Sequence, residues 1–180
     1  MRITEVETFV LRLPEVGAVC DGSQDAFVVR ILTDEGISGL GEGDSMPTVL
    51  AAAFDAPISN SIGQGLRGLL IGQDPLQIEP LVQRLLDGTL YLGRSGVRTT
   101  AISSVEMALW DIAGKAAGLP VCVLLGGAFR RRVRAYASLL FPEDPADLET
   151  VRQSGAAMRE RGYTAVKFGW GGFGRDRAQD

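Results

Sequence analysis

The chain has no histidine among its 180 residues. A Ser-His-Asp triad, a histidine zinc site and an imidazole general base are therefore all excluded within it. Its two cysteines, Cys20 and Cys122, stand too far apart for a metal-binding spacing and are too few for a disulfide framework. Chemistry must rest on Lys, Asp, Glu, Cys or Tyr, or on a metal held by oxygen ligands. Lys167 is the sharpest candidate. It lies in YTAVKFG, an apolar run that reads as a strand, where period 2 puts residues 167 and 169 on one face. Residue 169 is glycine, so that face carries a single side chain.

The elements that must position such a residue follow from local pattern. Ile3 to Leu13 reads as a strand ended by Pro14, Ala26 to Thr33 as a second and Ile37 to Glu42 as a third. Asp34-Glu35-Gly36 is the turn between the last two, giving an antiparallel meander. Asp74-Pro75 predicts a helix start, with Ile78, Leu81 and Leu85 as its buried stripe, a kink at Pro80 and a stop at Gly88. Ile102, Val105, Leu109, Ile112 and Ala116 make an apolar stripe on a longer helix, stopped and turned by Gly118 and Pro120. Val133 to Leu140 predicts a strand, Asp144-Pro145 a helix start with Gly162 as its end, and Tyr163 to Gly169 a closing strand. That order is a βαβ unit with parallel strands.

Hydrophobic residues make up 46% of the chain and charged residues 22%, with net charge −4. The acidic balance argues against non-specific nucleic-acid binding. Arg130 to Arg132 with Arg134 reads as a solvated domain junction. Neither a transmembrane run nor a signal peptide is visible, so the expected location is cytoplasmic and no membrane partner is expected.

The stretch SSVEMALWDIAGKAAGLPVCVLLGG, residues 103–127, resembles the hinge between the two domains of the mandelate racemase/muconate lactonizing enzyme family of the enolase superfamily. DEG-ISGLGE, residues 34–42, resembles the family too. Here Gly36 turns the hairpin, and Gly39 and Gly41 allow close packing. The resemblance implies an α+β capping domain over residues 1–130, an antiparallel meander followed by helices. Residues 131–180 would then be the first βαβ unit of a (β/α)8-type barrel that is incomplete in this chain, since a whole barrel needs about 250 residues.

The resemblance also implies a reaction: Mg2+-assisted removal of the proton alpha to a carboxylate, giving dehydration or racemisation of a hydroxy acid or acid sugar. The carboxylates that hold Mg2+ in the family sit on later barrel strands, expected beyond residue 180, so no metal ligand is assigned here. Family members often carry Lys-x-Lys on the second barrel strand. Lys167-Phe168-Gly169 keeps the first lysine, an electrostatic or orienting group, and lacks the second, which implies a base from a later strand. Specificity in the family comes from two cap loops, resembled here by residues 15–25 and 43–55. Cys20, Asp21, Ser45 and Met46 would lie nearest the substrate, with Ser138 on the first barrel strand and Trp170 after the second. Glu106, Asp111 and Lys115 read as structural, Asp111 and Lys115 as an i, i+4 pair and Asp111 as fixing the cap to the barrel start. The implied partners are a small carboxylate and further copies of the chain. The alternative is a non-catalytic cap-only binding or oligomerisation module, or a truncated relic.

Overall fold

The computed structural model describes residues 1–16, 24–140 and 147–169. The chain divides into two compact units, one formed by Met1–Pro14 with Ser23–Ala128, the other by Glu15–Gly22 with Phe129–Asp180.

The first unit is built on a three-stranded antiparallel sheet in the order β1-β2-β3, with β1 at Ile3–Arg12, β2 at Asp25–Thr33 and β3 at Ser38–Gly43. The meander matches the sequence pattern to within a residue or two. Along β2 the odd positions Phe27, Val29, Ile31 and Thr33 are buried, the alternation of a half-buried strand. In β1 a register shift between Ile3 and Glu5 lets Ile3 and Val6, three apart, both face the core. Gly36, at φ 78°, closes the β2–β3 turn, and the Thr33 hydroxyl donates to the Ile37 carbonyl at 2.7 Å.

Helix α4, Val97–Ala117, lies across the inner face of this sheet. Gly39 and Gly41 make that approach possible. A Cβ on Gly39 would stand 2.0 Å from the Ala108 carbonyl oxygen, and one on Gly41 would stand 1.8 Å from that of Ser104. Ile102, Val105, Leu109 and Ile112 are buried as the stripe requires, whereas Ala116 is exposed. Gly118, at φ 65°, ends the helix. Its N–H donates to Lys115 and the Leu119 N–H donates back to the Gly114 carbonyl at 2.9 Å, a Schellman closure. Beyond Pro120 the chain makes one helical turn, α5 (Val121–Leu124), where the sequence suggested only a turn.

Asp111 does form the expected ion pair with Lys115, at 2.7 Å. A further partner lies in β3. Asp111 accepts the Leu40 N–H at 2.9 Å and Lys115 donates to the Ser38 carbonyl at 2.7 Å, so the pair ties α4 to β3 within this unit. An edge strand offers unpaired backbone groups, and these are the ones satisfied.

The remaining helices are α1 (Pro47–Asp55), α2 (Leu66–Leu70) and α3 (Ile78–Gly88). Residues 43–55 were expected as loop, but Pro47 is a good first helical residue and Leu50, Ala53 and Phe54 bury one face of α1. Phe54 meets Phe27 with ring centroids 5.4 Å apart. Helix α3 starts at Ile78, later than Asp74-Pro75 suggested, because Asp74 spends its carboxylate on the Leu76 N–H of a preceding turn. Pro80 is then the third helical residue. Its missing N–H has no intrahelical partner to lose, so the expected cause of a kink is absent. Ile78, Leu81 and Leu85 are buried as expected.

Arg98 is buried at 5% exposure. Its guanidinium donates to the Thr89 hydroxyl at 3.1 Å and the Gly93 carbonyl at 3.1 Å, and also to the Leu86 carbonyl. A cation thus sits on the carbonyl end of α3, where the helix dipole is negative.

In the second unit, β4 (Ala137–Leu140) and β5 (Val166–Gly169) pair in parallel, joined through α6 (Leu148–Glu160). Both strands are shorter than the sequence suggested. Residues 133–136 and 163–165 lie outside the pairing, and Val133 is exposed. The cap of α6 is Asp147, whose carboxylate accepts the Thr150 N–H at 3.0 Å and the Thr150 hydroxyl at 2.6 Å. Asp144-Pro145, expected in that role, lies outside the described residues. Gly162, at φ 88°, follows the helix. Ala137 is the one buried hydrophobic residue among those described in this unit. No helix among the described residues is long and apolar enough to cross a membrane.

Candidate functional site

The β4–β5 pair is in a register that sets Ser138 opposite Lys167 and Leu139 opposite Phe168. A Cβ on Gly155 of α6 would meet the Phe168 ring at 3.8 Å, so Phe168 points at the helix. Alternation then turns Lys167 and Gly169 to the other face, and Ser138, their neighbour across the ladder, goes with them. Both Ser138 and Lys167 are exposed. A Cβ at Gly169 would lie 3.9 Å from the Lys167 Cε. The lysine stem therefore runs over the bare glycine toward the carboxyl end of β5. One face of this unit thus carries a lysine and a serine in register, residue types that bind an anionic oxygen and an alcohol.

Ser45 and Met46 belong to the first unit, in the connection from β3 to α1. Met46 is the residue before α1 and its carbonyl accepts from Val49 at 3.0 Å and Leu50 at 3.1 Å, leaving its side chain outward at 68% exposure. Ser45 and Met46 line a hollow of about 430 Å³ together with Arg12, Asp25 and Thr48. Arg12 and Asp25 are the last paired rung of β1 and β2. Neither was singled out from sequence. The usable signal was topological: the two residues flanking a hairpin connection must be neighbours. Cys20, Asp21 and Trp170 lie outside the described residues.

Among the described residues no group of three His, Cys, Asp or Glu side chains is placed to hold a metal ion. None of them is assigned to Mg2+.

Residues 3–126 match the family model for the mandelate racemase / muconate lactonizing enzyme N-terminal domain. A D-galactonate dehydratase family member from Pseudarthrobacter chlorophenolicus is 38% identical over 149 residues, 83% of this chain and 34% of that protein. D-galactarolactone cycloisomerase from Agrobacterium fabrum is 36% identical over 95% of this chain and 45% of its own length. A crystal structure of a mandelate racemase/muconate lactonizing protein from Paracoccus denitrificans, complexed with magnesium, superimposes with TM-score 0.72 at 28% identity, covering 94% of this chain and 42% of that one. The chain thus spans less than half the length of these relatives, among which are acid-sugar dehydratases and cycloisomerases. On the strength of these matches and of a fold that agrees with them, the chain belongs to the mandelate racemase / muconate lactonizing enzyme family, of which it contains the N-terminal domain.

Proposed function

We propose that this chain provides the N-terminal domain and opening strands of an enzyme that removes the proton alpha to a carboxylate, dehydrating an acid sugar or racemising a hydroxy acid. The observation that carries the reading is the pairing of Lys167 with Ser138 on the face of β4–β5 turned away from α6. A carboxylate whose alpha proton is leaving acquires a second negative charge, and a cation fixed beside it stabilises that charge more than it stabilises the substrate. Lys167 supplies the cation and orients the carboxylate. Ser138 donates to or accepts from a substrate hydroxyl. With glycine at 169 the strand offers no second lysine, so the base comes from elsewhere in the enzyme.

Ser45 and Met46 contact the substrate in this reading, and Cys20, Asp21 and Trp170 keep the same role as expectations from the family. Mg2+ is the cofactor implied by the family, in keeping with the magnesium complex of the Paracoccus denitrificans relative. The partners are a small carboxylate substrate and further copies of the enzyme in a homo-oligomer, and the location is cytoplasmic.

The test is to express the full reading frame and screen it with Mg2+ against a panel of acid sugars and hydroxy acids. Dehydration is followed by keto-acid formation, and proton removal by exchange of the alpha hydrogen with deuterated solvent. Turnover or exchange on one class supports the reading. Neither, on any carboxylate, overturns it in favour of a non-catalytic module.

A further inference from the structure

The basic run at Arg130–Arg132 and Arg134 belongs to the second unit, and its last member is tied to the strand pair there. Arg134 precedes β4 and reaches across to the start of β5. Its Nε donates to the Thr164 hydroxyl at 2.8 Å and its Nη2 to the Thr164 carbonyl at 2.5 Å. These bonds fix the guanidinium plane and leave its remaining N–H groups available. Arg161 follows α6, and its guanidinium carbon lies 5.9 Å from the centre of the Tyr163 ring. Among the described residues that guanidinium otherwise reaches only the Met158 sulfur, a weak acceptor, at 3.7 Å. Gly162, at φ 88°, turns the chain between Arg161 and Tyr163. Arg134, Arg161, Tyr163 and Thr164 together line a hollow of about 380 Å³ before the amino ends of the two strands.

Neither arginine is paired with a carboxylate among the described residues. The two stretches that form the hollow, residues 129–136 and 158–164, carry Arg130, Arg131, Arg132, Arg134, Arg159 and Arg161 against Glu160 alone, in a chain whose net charge is −4. Two cations facing one hollow repel each other, and an anion between them relieves that repulsion. Their N–H groups approach from two separate side chains, and Tyr163 and Thr164 add hydroxyls. Donors from several directions suit a tetrahedral oxoanion, which accepts on all sides, better than a flat carboxylate. We infer that this hollow is a phosphoryl-binding site, taking inorganic phosphate or the phosphate of a monoester. It needs neither Lys167 nor the reaction proposed above.

The experiment is calorimetric titration of the full-length protein with inorganic phosphate and, separately, with glycerol phosphate, in Mg2+-free buffer at fixed ionic strength. Wild type should bind at least one of them with a dissociation constant of about 1 mM or tighter. Arg161→Gln should weaken that binding about tenfold, the scale of losing a charged hydrogen-bonding partner. Arg161→Lys should fall between, since an ammonium keeps the charge and lacks the fork. Arg134→Gln should also weaken it, but that side chain ties the start of β5 as well. The Arg161 variants, which remove no strand contact, therefore carry the decision. Arg130 does not line the hollow, and Arg130→Gln should change the affinity by no more than about threefold through screened charge alone. Tighter binding of glycerol phosphate supports a monoester as the natural ligand, and tighter binding of inorganic phosphate supports the free ion. No binding of either by wild type overturns the inference. So does an affinity unmoved by Arg161→Gln, or one lowered equally by Arg161→Gln and Arg130→Gln.

Discussion

Ser138 and Lys167 are directly opposite one another on adjacent parallel strands, although 29 positions separate them in the chain. Their common face is opposite the one that Phe168 turns to α6. Parallel pairing has a strict consequence: residues in register share a face, so a hydroxyl and a lysine chosen separately from sequence come onto one face of the ladder. The glycine two positions on from the lysine shares that face and lies beside the lysine stem.

That geometry predicts an asymmetric response to substitution in the full-length enzyme. Lys167→Ala should lower kcat/KM by about 10²–10³-fold, the scale of losing one charge-stabilising donor. Lys167→Arg should recover part of it. Gly169→Ala adds a Cβ at ordinary contact distance, 3.9 Å from the Lys167 Cε, and should change the rate by no more than about twofold. Steady-state kinetics on the substrate found in the screen decides the matter. A Lys167→Ala enzyme as fast as wild type would remove the lysine from the reaction.

Gly39 and Gly41 predict a loss of stability with no chemistry involved. The atoms that a new Cβ would strike are the backbone oxygens of Ala108 and Ser104, at 2.0 and 1.8 Å. Backbone inside a helix cannot swing aside as a flexible side chain can. Gly41→Ala should therefore lift α4 from the sheet and cost about 3–5 kcal/mol, read as a lower urea midpoint. Gly36→Ala offers a contrast, because nothing lies within 4 Å of that position and the cost comes only from φ 78°. It should cost about 1 kcal/mol. Equal losses at Gly41 and Gly36 would show that contact with α4 is not what position 41 protects.

These glycines were legible in sequence because a glycine inside a strand pattern has few physical reasons to be there. The meander and the α4 stripe were legible because their periods are strict. Helix α1 was not, since Ser45-Met46-Pro47 gives no capping side chain and the family resemblance favoured a loop. The start of α3 was misplaced because Asp-Pro can open a turn as well as a helix, and here Asp74 caps the turn. Lys167 was visible as a residue type, while its partnership with Ser138 depended on a register that no local pattern encodes. The Arg12–Asp25 rung was hidden for the same reason, being a relation between two strand ends.

Arg98 was equally hidden, because a buried cation satisfied by carbonyls has no sequence signature. Its guanidinium holds the carbonyls of Leu86 and Gly93 and the Thr89 hydroxyl, and Thr89 in turn donates to the Leu85 carbonyl at 2.6 Å. Arg98→Met keeps much of the stem volume and strips every donor, leaving the Thr89 hydroxyl and the Leu86 and Gly93 carbonyls without that partner. The expected loss is about 3 kcal/mol. Arg98→Lys should recover only part, since one ammonium cannot span the same acceptors. Chemical denaturation of the three proteins ranks them, and an Arg98→Met protein as stable as wild type would show that these carbonyls find water instead.

Asp147 predicts a local pH dependence whose sign is fixed by its hydrogen bonds. The Thr150 hydroxyl and then the Thr150 N–H favour the charged carboxylate and hold its pKa below the ordinary 3.8. A group whose folded pKa is depressed stabilises the fold fully above its unfolded value. The contribution is lost as pH falls below 3.8 and through the lower folded value, because below both the cap is protonated in either state. Glu149 is displaced the same way, first by the Arg152 hydrogen bond and then by Gln153, so it is replaced by Gln in the protein compared. In that background the Thr150 amide resonance should titrate with a midpoint below 3.8, and α6 should loosen from its first turn as it does. Asp147→Asn keeps a capping oxygen and removes the charge, so the same amide should stay flat across that window. A midpoint at or above 3.8 in the Asp147 protein would mean that the carboxylate gains nothing from its cap.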